Sequence, residues 1–278
     1  MYDVRQVKTL QWARSAVQSR HYRPGTDAIS LGDLISPLRY DILVRAEFFD
    51  YLTDRLDLFD ADFDRFTTAA TETRYFTWFS QVALTRYRPA HATAREDVMA
   101  QFRERLRRSV RLLRSFTACG FDPRFPISLR AAAPGAASET GKTVSRRFQP
   151  GDGCHRLALL VRTGELILPA AYYRVAREPR AALIDNTHLL IRDLGLPREE
   201  YVRFLSRGYS DLSFSDAESL VSYVGARFPW RLAELRNVMA IDQRAFAAAD
   251  PRPAANEGAL LGPPVLSSLT RATGGATI

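Results

Sequence analysis

Gln149-Pro150-Gly151-Asp152-Gly153-Cys154-His155-Arg156-Leu157-Ala158-Leu159-Leu160 is the stretch that decides how this chain folds. Pro150, Gly151 and Gly153 make a tight turn. Cys154 onward then carries Leu157, Leu160 and Val161 at helical spacing, and Gly164 is a stop signal. His155 and Arg156 therefore fall in the first helical turn, beside free backbone N–H groups and the positive end of the helix dipole. The dipole favours acids at that end. An arginine placed there implies that an anion, such as a phosphate, sits on the turn.

Working outward, residues 125–130 read as a strand and residues 131–141 as a turn-rich segment. Residues 143–148 read as the second strand of a hairpin that leads into the glycine turn. After the helix, residues 166–169 and 171–175 read as another strand. Strand, glycine turn, helix and strand in that order form a compact α/β unit. Upstream, residues 5–19 read as a short helix and residues 28–35 as a short strand with its exit. Residues 40–58 follow the Ser36-Pro37 entry signal as a helix. Residues 60–86 and 96–119 read as two amphipathic helices separated by a loop around Pro89. Tyr75, Phe76, Trp78 and Phe79 are expected to pack in the core rather than form a stacking platform. Downstream, residues 180–247 read as helices, punctuated by residues 211–216 and by Pro229. Residues 248–278 have few large apolar side chains and read as a disordered tail.

Composition sets bounds on these readings. The chain has 278 residues and is 46% hydrophobic, enough for a sizeable core. It carries no apolar run long enough for a membrane span, and residues 1–20 lack the apolar centre of a secretory signal, so a cytoplasmic protein is expected. Two cysteines, Cys119 and Cys154, exclude a disulfide framework and a cysteine-built zinc site. The net charge of +8 invites a nucleic-acid reading. That reading is disfavoured, because Lys8 and Lys142 are the only lysines and the arginines are spread along the chain. The densest run, Arg103 to Arg114, is expected to be a solvated helix face.

The tetrapeptide Gly153-Cys154-His155-Arg156 resembles the sulfiredoxin signature. The wider pattern of Asp152, Gly153, His155, Arg156, Leu157, Ala158, Gly164, Ile167 and Pro169 resembles the ParB/sulfiredoxin-like superfamily, which includes free-serine kinases. The resemblance covers residues 120–176, with a weaker likeness at residues 29–52. It implies an α+β fold, a small mixed-sheet core with a large helical insertion and a C-terminal helical block. The expected organisation is residues 1–58 for an N-terminal helix plus the first strand and helix of the core, and 59–118 for the insertion. Residues 119–179 would form the core with its phosphate loop, 180–247 the helical appendage and 248–278 the tail. The chain departs from the DNA-partitioning branch in having no clear helix-turn-helix after Val175, and from sulfiredoxins in its large helical additions.

By the same resemblance, Gly151, Gly153, Cys154, His155 and Arg156 would surround the phosphates of ATP or ADP, with CTP as an alternative and Mg²⁺ carried by the nucleotide. Asp152 would orient the metal or the acceptor, and Asp41 or Glu47 would take the acceptor proton. The implied activity is a kinase-type phosphotransferase acting on a small molecule. The alternatives are a nucleotide-gated module binding protein or DNA without turnover, and a sulfinic-acid reductase with Cys154 as nucleophile.

Other signals are weaker. Residues 135–143 nearly match a P-loop, but five residues separate the glycines where four are required, and a strand follows instead of a helix. A hairpin would still bring Lys142 near the phosphates. Asp185, Asn186 and His188 read as a capping cluster. His21 and His91 have no partner at ligand spacing.

Overall fold

The computed structural model describes residues 21–83, 95–145 and 148–249. The expected N-terminal helix, the loop around Pro89 with His91, and the tail from residue 250 lie outside them. The chain begins with β1 (Tyr22–Pro24) and β2 (Ile29–Ser30). Helices α1 (Leu31–Ile35), α2 (Asp41–Thr53), α3 (Leu56–Ala61), α4 (Phe63–Ala70) and α5 (Arg74–Trp78) follow, and a π-helical turn (Phe79–Ala83) ends this run. The long α6 (Arg95–Cys119) leads into β3 (Ile127–Ser138), β4 (Phe148–Asp152), α7 (Cys154–Arg162), β5 (Ile167–Leu168) and β6 (Tyr173–Leu183). Four helices close the described chain: α8 (Asn186–Leu194), α9 (Arg198–Tyr209), α10 (Ala217–Arg227) and α11 (Pro229–Ala249).

The larger sheet is mixed, with strand order β1-β6-β3-β4. β6 runs antiparallel to β1 and parallel to β3, while β4 is antiparallel to β3. β2 and β5 form a separate antiparallel pair. The mixed α/β class read from the sequence is therefore present, with helices on both sides of the sheet strands in the chain order.

Three local expectations are corrected, each for a local reason. The single helix expected over residues 60–86 is broken. Asp62 accepts from the Arg65 amide and Thr73 from the Phe76 amide, and each cap starts a new helix. The strand expected over residues 28–35 ends at Ser30, whose hydroxyl accepts from Asp33 N and starts α1. The turn-rich segment 131–141 is strand as far as Ser138. β4 pairs with β3 only up to Ala131, so Pro134 lies where one side of β3 is open and the register with β6 slips.

The core joins these parts. Leu157, Ala158, Leu159 and Leu160 of α7 are buried, as are Phe48, Phe49 and Leu52 of α2, and these two helices pack closely. Each of these leucines and phenylalanines contributes about 1.5–3 kcal/mol relative to exposure. The same apolar cluster runs on through Leu190, Phe204, Leu235 and Val238 of the C-terminal helices. Polar links reinforce that joint: the amides of Asn186 and Thr187 donate to Leu38 O at 2.8 and 3.1 Å. Among the described residues, no helix is long and apolar enough to cross a membrane.

Candidate anion site at the glycine turn

The strand expected over residues 143–148 is displaced: Pro150 and Gly151, read as turn residues, belong to β4, and Gly153 alone, in the left-handed region with φ of 87°, turns the chain into α7. A Cβ on Gly153 would sit 2.9 Å from Arg156 Nη2 and 3.2 Å from Ile127 Cα, so glycine is required twice over. Asp152 Oδ1 accepts from Gly153 N at 2.7 Å and holds the turn closed. The helix start is left with no side-chain cap. Its first amides therefore have no partner from a capping side chain. Arg156 is half-buried, donates to Phe125 O, and has no acid at ion-pair distance among the described residues. Burial pushes its pKa down, although a guanidinium stays charged at neutral pH.

A second arginine, Arg39, braces the turn from the segment just before α2. Arg39 donates to Pro150 O at 2.9 Å and to Cys154 Sγ at 3.2 Å. Asp41 holds Arg39 in a fork, at 2.8 Å from Nε and 3.0 Å from Nη2, and also pairs with Arg45 Nη1. Burial alone would raise the Asp41 pKa, but Arg39 and Arg45 outweigh it and hold the carboxyl well below the usual carboxylate range. The assignment of Asp41 as proton acceptor is corrected accordingly. Both its oxygens are occupied by guanidinium groups, and the carboxylate is fully buried. Asp41 positions Arg39, and Arg39 positions the turn.

His155 faces the buried hydroxyl of Tyr75, with Nε2 2.8 Å from the Tyr75 oxygen. Burial, then Arg45 and Arg105, push the imidazole pKa well below its ordinary value, so the ring is neutral at pH 7. Burial raises the Tyr75 pKa, so Tyr75 keeps its proton. Tyr75 then donates to Nε2, and the histidine proton rests on Nδ1. The aromatic cluster is in the core as expected, with Tyr75 stacked 4.0 Å from Phe48. Tyr75, Trp78 and Phe79 also line the site.

These groups open on a cavity of about 730 Å³, within the range of small-molecule sites. One wall is the turn, with Gly151, Asp152, Gly153, Cys154, His155 and Arg156. α6 also lines the cavity, contributing Glu104, Arg105, Arg108 and Phe116. Asp152 is exposed, and only Oδ1 is engaged among the described residues. Asp152 can therefore meet a nucleotide-borne cation from one side, but the described residues contain no group of three His, Cys, Asp or Glu able to hold a metal. Any Mg²⁺ has to share its ligands with phosphate oxygens.

Two candidates lie elsewhere. Glu47 does not line the cavity: it pairs with Arg74 at 2.9 Å, and Arg74 also reaches Glu200 at 2.9 Å. Its assignment as proton acceptor is corrected on that ground. Lys142 is not at the phosphates either. It is fully buried, 2.8 Å from Asp185 and 2.5 Å from Asp242, although neither contact is aligned as a hydrogen bond. Asp185 also caps α8 through His188 N, as the capping reading expected. Sequence reading missed Arg39, Arg45, Arg105 and Tyr75. The Arg39-x-Asp41 spacing at the start of α2 is the one local signal that pointed to the first of them. No family model matches the chain, and no curated protein or solved structure matches it.

Proposed function

We propose that the cavity binds the phosphates of a nucleotide, ATP or ADP, and that the protein transfers a phosphoryl group to a small molecule. The observation that carries the reading is the uncapped start of α7 beside Arg156, which has no acid partner among the described residues. A helix start and a guanidinium held only by the Phe125 carbonyl among those residues attract a phosphate. Each charge-assisted hydrogen bond formed there contributes about 1.5–3 kcal/mol. The resemblance to the ParB/sulfiredoxin-like superfamily supports the nucleotide and the transfer. The strand–glycine–helix order at β4 and α7 is consistent with it.

The residues divide the work as follows. The amides of Cys154, His155 and Arg156 and the Arg156 guanidinium hold the phosphate oxygens. Neutral His155 offers its Nδ1 proton as a further donor, oriented through Tyr75. Arg39 keeps the turn in place from below. Asp152 is the one acid of the three first considered that faces the cavity, and it orients the acceptor hydroxyl or shares a cation with the phosphates.

A thermal-shift screen with ATP, ADP, CTP and GTP, with and without Mg²⁺, tests the reading. A bound nucleotide raises the melting temperature by mass action. No shift with any nucleotide sinks it, and a shift with CTP alone moves it to a nucleotide-gated module. A second reading, reductase chemistry at Cys154, is favoured by one contact, the Arg39 guanidinium 3.2 Å from Sγ. Loss of activity in Cys154→Ser supports that reading, whereas phosphotransfer tolerates the change.

A further inference from the structure

Along α6, arginines with partners alternate with one that has none. Arg103 pairs with Asp64 at 2.6 Å, and Arg108 with Glu104 at 2.6 Å. Arg111 lies 3.7 Å from Glu104, and Arg114 pairs with Asp60. Arg107 lies 4.4 Å over the Phe63 ring. Arg105 has neither an acid nor a ring among the described residues. It is half-buried and lines the same cavity as the glycine turn, from a different helix. It is also close enough to His155 and Tyr75 to help lower the imidazole pKa and to oppose the rise at the tyrosine.

A half-buried guanidinium loses hydration, and a neighbouring acid normally offsets that loss. Here three of the acids near the cavity are committed elsewhere, and Asp152, with Oδ1 on Gly153 N, makes no ion pair with Arg105 among the described residues. Glu104 serves Arg108 and Arg111, Asp122 serves Arg124, and Asp41 serves Arg39 and Arg45. The imbalance is not a general feature of α6, because its other arginines on the described surface are satisfied. It is confined to Arg105.

We infer that Arg105 binds a second anionic group, in the same cavity as the phosphate at the glycine turn, so that the cavity takes a ligand or a ligand pair with two anionic centres. This rests on the phosphate reading of the turn. The second centre is either the terminal phosphate of a longer phosphate chain or an anionic group on the acceptor. The same guanidinium chemistry serves both, because a planar fork matches phosphate and carboxylate alike. The helical segment 59–118 is then part of the binding machinery through α6.

Calorimetric titration with inorganic phosphate and pyrophosphate tests this on the wild-type chain, Arg105→Ala, Arg105→Lys and Arg156→Ala. Wild type is expected to bind pyrophosphate at least about tenfold more tightly than phosphate. Arg105→Ala is expected to erase that preference and to leave phosphate affinity within about threefold, while Arg105→Lys restores part of it. Arg156→Ala is expected to weaken both probes. Unchanged melting temperature shows that each variant is folded. Phosphate titrated into ADP-saturated protein separates the sources. Binding there that Arg105→Ala removes assigns the second anion to a separate molecule. Exclusion of phosphate, with an ADP-over-AMP preference that Arg105→Ala removes, assigns it to the nucleotide. An Arg105→Ala protein that keeps the pyrophosphate preference overturns the inference while leaving the turn as a phosphate site. A wild-type chain that binds no probe and no nucleotide overturns the phosphate reading itself, and this inference with it.

Discussion

Buried cations occur in two regions of this molecule, in opposite company. Lys142 is sealed between two acids, Asp185 and Asp242, with Tyr201 donating to Asp242 at 2.7 Å and Thr140 to Asp185 at 2.9 Å. At the glycine turn, Arg39 and Arg45 both pair with Asp41, and Arg105 and Arg156 pair with no acid among the described residues. Acids are in excess in the first region and cations in the second. Burial therefore raises the Asp242 pKa, despite the opposing pull of Lys142, whereas Asp41 is driven down. The first region is closed to solvent and ties the β3–β4 connection to α11. The second opens on a cavity and has room for an anion. The first arrangement is that of a structural lock, and the second is the one for which anion binding is proposed.

Lys142→Met is the strongest way to break that contrast. It leaves two acids buried without their cation and is expected to cost about 3–5 kcal/mol. That corresponds to a fall in melting temperature of roughly 10 °C for a chain of this size. Nucleotide affinity of the folded protein should not change. An affinity loss of more than about tenfold would couple the lock to the site and end the distinction.

Asp41→Asn comes next. The amide keeps one accepting oxygen, turns its NH2 towards a guanidinium and removes the Asp41 charge from beside two buried arginines, so a loss of about 3 kcal/mol is expected in urea unfolding. Nucleotide affinity should weaken as Arg39 loosens its hold on Pro150 and Cys154. A fall in turnover at unchanged affinity and stability would instead restore Asp41 as a proton acceptor.

The third effect is one of pH. The folded imidazole of His155 has a pKa below its unfolded value of about 6.5, so below that pH the unfolded chain binds more protons. The stability tied to neutral His155 is therefore complete above about pH 6.5 and is lost as pH falls, by about 1.4 kcal/mol per unit of pKa difference. Melting temperatures of wild type between pH 7.5 and 5 should fall more steeply than those of His155→Gln. The raised pKa of Asp242 acts with opposite sign, being most favourable when protonated, and cancels in the difference between the two proteins. Parallel curves would mean that His155 is not held neutral.

The smallest effect belongs to Glu47→Gln. It removes one arm of a half-exposed ion pair, worth less than about 1 kcal/mol. Turnover and affinity should match wild type. A large loss of turnover would bring Glu47 back as the acceptor of the substrate proton.

How far the sequence could be read follows from where the information sits. The start of α7 is written in neighbouring residues, Gly153 and leucines at helical spacing, whereas Pro150 and Gly151, which read as the turn, are residues of β4, the strand that pairs with β3. Pro229 and the break near Asp216 are equally local, since Asp216 caps α10 through Ser219 N. The broken helix around Asp62 and Thr73 was missed because capping residues inside an amphipathic run look like its polar face. Lys142 was misplaced because its partners, Asp185 and Asp242, come from distant helices. Arg105 was hidden for a related reason. Its periodicity is that of a solvated face, and only the packing of α6 against α7 shows which arginine looks inward.

The central claim, that the glycine turn holds a nucleotide phosphate through Arg156, is tested most directly by calorimetric titration of ATP, ADP and CTP into wild type and Arg156→Ala. The predicted result is measurable binding to wild type that weakens by about ten- to a hundredfold in the variant. The unliganded melting temperatures should agree within about 8 °C, the value of one lost charge-assisted hydrogen bond. Equal affinity of the two proteins for every nucleotide would contradict the account.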